Sequence, residues 1–229
     1  MFLMALVAGA PNGNEIIRQM EQKYAKLQSY QDVGEYTAID EDLRSGRKFN
    51  VHLRFKTEFK APAKLCFKFE DGKKSGVLCS KGQKGKATLD PDLAGVIKPS
   101  NRTVWLADSI LSGKKERNSL ELEIASFAGV SYGTAYNVPT MLFPKIGGRQ
   151  FHDLQDAAII GTEAFDGEKC YLVESQSRQE TLWIGTKTLA LRRIVERSPG
   201  EADEVTVYHP VFNPKIPDSV FKLSPPINR

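Results

Sequence analysis

Cysteine and histidine are scarce, with three of each in 229 residues. Cys66, Cys79 and Cys170 fit no zinc spacing, and His52, His152 and His209 include no pair at metal-helix spacing, so neither a metal nor another cofactor is expected. Charge of one sign is also lacking. The chain has 32 basic against 28 acidic residues, a net charge of +4 and a pI near 8.8, which is no global polyelectrolyte signal for nucleic acid. No apolar run is long enough to cross a bilayer as a helix, long-period repeats and low-complexity tracts are missing, and Gly82-Gln83-Lys84-Gly85-Lys86 has neither the spacing nor the hydroxyl of a phosphate loop.

What is present is a long hairpin with one apolar face. From Phe49 the odd positions read Phe49, Val51, Leu53, Phe55 against Asn50, His52, Arg54, Lys56, the two-residue period of a strand with one wet side. Lys60-Ala61-Pro62 interrupts the run. Leu65, Phe67 and Phe69 then resume it against Lys64, Cys66, Lys68 and Glu70. Each of these large apolar side chains contributes roughly 1.5 to 3 kcal/mol if buried, so the chain must supply a second layer, a ligand, or both.

Around this hairpin the order of elements is consistent with a mainly β fold containing some helix. Asn12 with Glu15 three residues on, and Ile16, Ile17, Met20, Tyr24 and Leu27 at helical spacing, predict an N-terminal amphipathic helix. A strand at Asp32 to Ile39, a charged turn at Asp40 to Gly46, and short strands at Gly76 to Ser80 and Ala87 to Leu89 are expected. A helical crossover at about 104–147 follows, with helices near Ser119 to Phe127 and Val138 to Ile146. Strands return at Asp156 to Glu163, Cys170 to Ser175, Glu180 to Ile184, Leu189 to Glu196 and Glu204 to Phe212, at the short spacing of an antiparallel meander. A last short strand lies between Pro217 and Pro226.

Met1 to Ala10 is apolar and ends in Ala8-Gly9-Ala10; it reads as the remnant of a secretory signal or as an apolar N-terminus packed on the fold, leaving 11–229 as one domain. A turn at Asp71 to Lys74 would set Cys66 opposite Cys79 across a hairpin, where a disulfide or two free thiols are both compatible with the pattern, and Cys170 stays single. Gly129-Val130-Ser131-Tyr132-Gly133 matches the nucleophile elbow of hydrolases, but a helical pattern precedes it where the elbow needs a strand, so a flexible turn is the better reading and no catalytic residue is assigned. Lysines and arginines cluster between Arg44 and Lys86. They suit a solvated strand face or transient contact with an anionic membrane surface better than a nucleic acid, because the aromatics of the hairpin point the other way.

Several short motifs occur in a telling order: Tyr30-Gln31-Asp32 after the helix, Phe59-Lys60-Ala61-Pro62-Ala63-Lys64-Leu65 in the hairpin, Thr181-Leu182-Trp183-Ile184 followed by Leu189-Ala190-Leu191-Arg192-Arg193, and Asp218-Ser219-Val220-Phe221 with Pro225-Pro226. In this order the chain resembles the bacterial outer-membrane lipoprotein carrier superfamily (LolA/LolB-like), over about residues 14 to 227. The resemblance implies an unclosed, strongly curved antiparallel β-barrel covered by an N-terminal helix and a helical crossover, with a cavity for acyl chains. It also implies a soluble, non-enzymatic periplasmic carrier of a lipid or lipoprotein acyl chain, expected as a monomer. Carriers proper have an arginine before the hairpin proline, which latches the lid; Ala61 stands at that position, so this chain resembles an uncharacterised member rather than the carrier itself. The expected cavity lining is Phe49, Val51, Leu53, Phe55, Leu65, Phe67 and Phe69 from the hairpin, Met141, Leu142 and Phe143 from the lid, and Trp183. The alternative is an envelope sensor or interaction module whose core is filled by these side chains and which binds a protein partner.

Overall fold

The computed structural model describes residues 12–42, 45–72, 74–80, 93–99, 104–105, 120–144, 150–199 and 202–222. Helix α1 (Gly13–Ala25) starts where expected: the Asn12 side chain accepts from the Glu15 N–H at 2.8 Å, and Ile16, Ile17, Met20 and Tyr24 form its buried stripe. All strands join one antiparallel sheet. They are β1 (Ser29–Asp42), β2 (Arg47–Lys60), β3 (Lys64–Glu70), β4 (Lys74–Ser80), β5 (Leu93–Pro99), β6 (Val104–Trp105), β7 (Ala158–Phe165), β8 (Glu168–Ser175), β9 (Glu180–Gly185), β10 (Leu191–Glu196), β11 (Glu204–Tyr208) and β12 (Val211–Phe212). The spatial order is β6-β5-β4-β3-β2-β1-β11-β10-β9-β8-β7, with β12 also paired to β1. Among the described residues β6 and β7 end the sheet and do not pair with each other, so it is an open half-barrel rather than a closed one.

Helices α2 (Leu120–Val130) and α3 (Thr134–Leu142) lie with α1 on one face, and a single core cluster joins residues of all three to the inward positions of β1–β4 and β8–β11. Two glycines let the lining pack. A Cβ on Gly34 would run into the Phe55 ring, and one on Gly76 into the Phe69 ring, so each bare backbone leaves room for an aromatic ring to lie across it.

Several expectations are corrected. The charged turn at Asp40 to Gly46 is shorter: β1 runs to Asp42, and Glu41 stands opposite Lys48, so opposite charges across the ladder offset the low strand preference of acidic residues. Leu93–Pro99 and Val104–Trp105 are strands that the pattern does not announce. The expected Glu204 to Phe212 strand is split by Pro210, which cannot donate to a ladder. The strand expected after Pro217 is instead a 3-10 turn at Asp218–Phe221. Its Asp218 carboxylate holds Lys60 Nζ at 2.7 Å and Lys64 Nζ at 2.8 Å, and Phe221 packs on the outer face of the hairpin. The N-terminal segment 1–10, the Ala87 to Leu89 strand, the glycine-lysine turn at 82–86 and the far parts of the crossover and C-terminus lie outside the described residues.

Candidate functional site

The interior face of the sheet is built by simple alternation. In β2 the odd positions Val51, Leu53, Phe55, Thr57 and Phe59 point inward; in β1 the even positions Tyr30, Asp32, Gly34 and Tyr36 do the same, with Tyr36 opposite Leu53 and Gly34 opposite Phe55. Leu65, Phe67 and Phe69 extend the lining across β3, and Leu78 across β4. Phe55, Phe67, Phe69 and Phe127 follow one another in ring contact, Phe69 meeting Phe127 of α2 edge-on at 6.1 Å; Phe55 also meets Tyr208 edge-on at 5.4 Å, and Phe59 meets Phe143 edge-on at 5.2 Å. The hairpin residues and Met141, Leu142 and Phe143 therefore come together on one surface, with Phe49 half-buried at its margin and the rest buried.

Trp183 does not join them. In β9 Leu182 and Ile184 point to the helices, so Trp183 between them points to the opposite face, where it packs with Cys170 and Val195 under the Arg193 guanidinium, 4.8 Å from its ring. Aromatic character alone put it in the expected lining; the period of the strand takes it out.

The cover over the lining is short and partly polar. Every position of α3 from Thr134 to Leu142 is buried except Tyr136, which is half-buried, and the buried set includes Thr134, Asn137, Thr140 and an internal Pro139. Thr140 satisfies its hydroxyl on the Tyr136 carbonyl at 2.8 Å. Asn137 donates Nδ2 to the Tyr208 hydroxyl at 2.8 Å, while its Oδ1 is buried with no hydrogen-bond partner. The corner between the helices is fixed by Tyr132, with φ of 51°, whose ring stacks on Tyr36 at 5.2 Å and lies under Lys74 Nζ at 4.9 Å. Ser131 belongs to this corner: it is fully buried, a helix precedes it, and its Oγ accepts from the Ala135 N–H at 3.4 Å. That is the corner of a helical hairpin, not a strand-to-helix elbow. The histidines lie elsewhere, His52 beside Glu35, His152 beside Glu21 and His209 beside Asp166.

A polar track crosses the apolar face and escaped a search by apolar pattern. Asp32 is fully buried; its Oδ2 accepts from the Tyr30 hydroxyl at 2.7 Å and its Oδ1 from the Thr57 N–H at 2.8 Å. Burial, only partly offset by these hydrogen bonds, pushes its carboxyl up to about 6. Tyr24 lies against Tyr30, and its hydroxyl accepts from the Leu191 N–H at 3.1 Å; burial raises both phenols above their ordinary value. The alternation of Tyr30, Asp32, Gly34 and Tyr36 was the available signal.

The outer face is less basic than the sequence suggests. Glu35 lies 3.5 Å from both His52 and Arg54, Glu58 takes Lys56 at 2.7 Å, and Asp218 takes Lys60 and Lys64. Cys66 and Cys79 face each other across β3 and β4 and form a disulfide, covered by Ile216 and Phe221. Cys170 is a free buried thiol that burial raises to about 11, so it is not a nucleophile at neutral pH. Among the described residues no group of three or more His, Cys, Asp or Glu side chains could hold a metal, and no helix is long and apolar enough to cross a membrane.

No family model and no curated protein matches the sequence. Among solved structures the chain is similar to lipoprotein LppX of Mycobacterium tuberculosis, at 12% identity and a TM-score of 0.40 over 89% of this chain and 96% of that one. It is similar to a DUF1329 family protein of Desulfovibrio piger at 11% identity and a TM-score of 0.37, covering 92% and 95%. A LolA superfamily protein of Nitrosomonas europaea is similar at 10% identity and a TM-score of 0.27, covering 93% and 99%.

Proposed function

We propose that the protein is a non-enzymatic binding or carrier protein of the bacterial envelope, which holds the acyl chain of a lipid or lipoprotein between the concave face of its sheet and the helices α2 and α3. The observation that carries this reading is the make-up of the cover. A helix meant only to fill a core is apolar on its buried side, whereas α3 buries Thr134, Asn137 and Thr140 and leaves the Asn137 Oδ1 unpaired above a lining of aromatic rings. Such a cover is held less firmly than the sheet beneath it, and low local stability is what an element that opens for a ligand requires. Apolar burial drives uptake, and displacement of α2 and α3 admits the chain. The paired Cys66 and Cys79 accord with an oxidising compartment such as the periplasm.

A second reading keeps the interior filled and assigns the contact with a partner protein to the sheet edge. It is favoured by full burial of Leu53, Leu65 and Phe67, and by β7, a terminal strand of eight residues that exposes Ile160. Native mass spectrometry of the protein purified from an envelope fraction separates the two. The carrier reading expects a co-purified acyl lipid or acylated peptide, or uptake of one from added diacyl lipid. An apo mass unchanged by lipid contradicts it and favours the filled core.

A further inference from the structure

A cleft of about 350 Å³ lies outside the apolar lining, on the seam where α1 meets the end of α3 and the 3-10 turn at Phe151–Asp153. That volume is at the low end of small-ligand sites, roughly 300 to 1,000 Å³, and suits one chain rather than two. One face of α1 supplies Arg18, Gln22 and Ala25, at i, i+4 and i+7; Met141 and Pro144 come from the end of the cover, and His152 from the turn.

Arg18 and Glu21 both line the mouth, but they are not paired with each other. The Glu21 carboxylate is committed to the turn: Oε1 accepts from the N–H groups of Phe151 at 2.8 Å and His152 at 3.1 Å, and Oε2 lies 2.7 Å from His152 Nδ1. Arg18, one helical turn before it, is exposed and has no carboxylate partner among the described residues. Two buried residues at the end of α3, Thr140 and Met141, form the inner wall of the cleft. Met141 lines the cleft, yet is 2% exposed and belongs to the core cluster over the sheet.

We propose that this cleft docks a single-chain amphiphile with an anionic head, a carboxylate or a phosphate, the head on Arg18 and the chain along Ala25, Pro144 and Met141. The site rests on the acyl-binding reading and adds to it a docking position outside the cover, at the end of the helix that must move. It selects for charge, which the apolar lining does not.

Isothermal titration with palmitate, hexadecyltrimethylammonium and acetate, each below any micellar concentration, tests this on the whole chain and on Arg18→Glu and Ala25→Trp. Both substitutions are at exposed positions of α1 and leave the core untouched; circular dichroism checks the fold. The expected result is a palmitate site at the cleft, separate from the interior one, that is weakened roughly fivefold by Arg18→Glu, the scale of one exposed charge pair. Ala25→Trp is expected to weaken it more, while the ammonium amphiphile binds more weakly than palmitate and acetate does not compete. Palmitate affinity unchanged in both variants overturns the cleft and leaves the acyl-binding reading standing. Equal binding of the ammonium amphiphile overturns the anionic head, and effective competition by acetate overturns the chain. No binding of palmitate to the unaltered protein overturns the cleft and the carrier reading together.

Discussion

Asp32 is a carboxylate buried against a tyrosine hydroxyl and a backbone N–H, and it makes the stability of the fold depend on pH in a direction opposite to most acids. Its carboxyl stands near 6 in the fold against 3.8 in the free side chain, so between about pH 4 and 6 the native state holds a proton that the unfolded chain has released. Stability from this group is therefore full below about pH 4 and declines as pH rises through 6, by on the order of 3 kcal/mol. Asp218, held down to about 2 by the Lys60 and Lys64 ammonium groups, and Asp156, held there by the Ser175 hydroxyl and the Ser177 N–H, act the other way and only below pH 4, where their stabilisation is lost. The windows do not overlap. Asp32→Asn, which keeps an acceptor for Thr57 and removes the charge, is expected to unfold at higher urea than the natural protein at pH 7.5 and to lose that advantage at pH 4.5. Urea titrations at the two pH values check this; a variant less stable at both would contradict the assignment.

At the scale of elements, the cover and the hairpin behave differently. Asn137 and Tyr208 fasten α3 to β11 by one hydrogen bond and leave one buried acceptor unpaired. Replacing both partners by apolar groups, as Asn137→Leu with Tyr208→Phe, removes the orphan together with the bond and is expected to stabilise the closed cover by about 1 kcal/mol. The same pair should slow uptake of a fluorescent fatty acid in stopped-flow mixing, because the closed state is favoured; faster uptake would contradict the role of α3 as the moving part. The β3–β4 ladder is fixed covalently. Cys66→Ser with Cys79→Ser opens a loop closed over a sequence separation of 13 and is expected to cost about 3 kcal/mol, read by urea unfolding, with no change in where an acyl chain binds.

The elements were legible to different degrees, for physical reasons. The hairpin was read from Phe49 to Phe69 because period-two alternation with large side chains has no other good solution. The lid helices were placed to within a few residues by loss of that alternation, although α3 starts earlier, at Thr134, than its apolar run suggests. Strand β5, with Ala94, Gly95 and Pro99, and the acidic end of β1 were not legible, because their partners β4 and β2 supply the order that their own residues do not. The inward placement of the apolar side chains is legible in the alternation, that of the polar ones is not. Asp32, Asn137 and the Arg18 cleft are polar positions whose meaning comes from what surrounds them after folding.

For the whole molecule, an open sheet with helices on one face leaves much of its convex side to solvent among the described residues. Among the described residues Arg54, Lys56, Lys60 and Lys64 of the basic stretch are paired with Glu35, Glu58 and Asp218, so binding of this face to anionic vesicles is expected to be weak and to vanish between low and physiological salt. Vesicle sedimentation at the two ionic strengths checks this, and salt-resistant binding would mean that the face carries more free charge than its pairing allows. The concave side is where the proposed carrier role places the acyl chain. Its central claim is tested most directly by loading the protein with a fatty acid bearing a diazirine midway along the chain, irradiating, and mapping the adducts by mass spectrometry. The account predicts adducts on the interior set around Phe67, Phe69, Phe127 and Leu142, between sheet and cover. Adducts confined to the convex face or to β7, with the interior unlabelled, would contradict it.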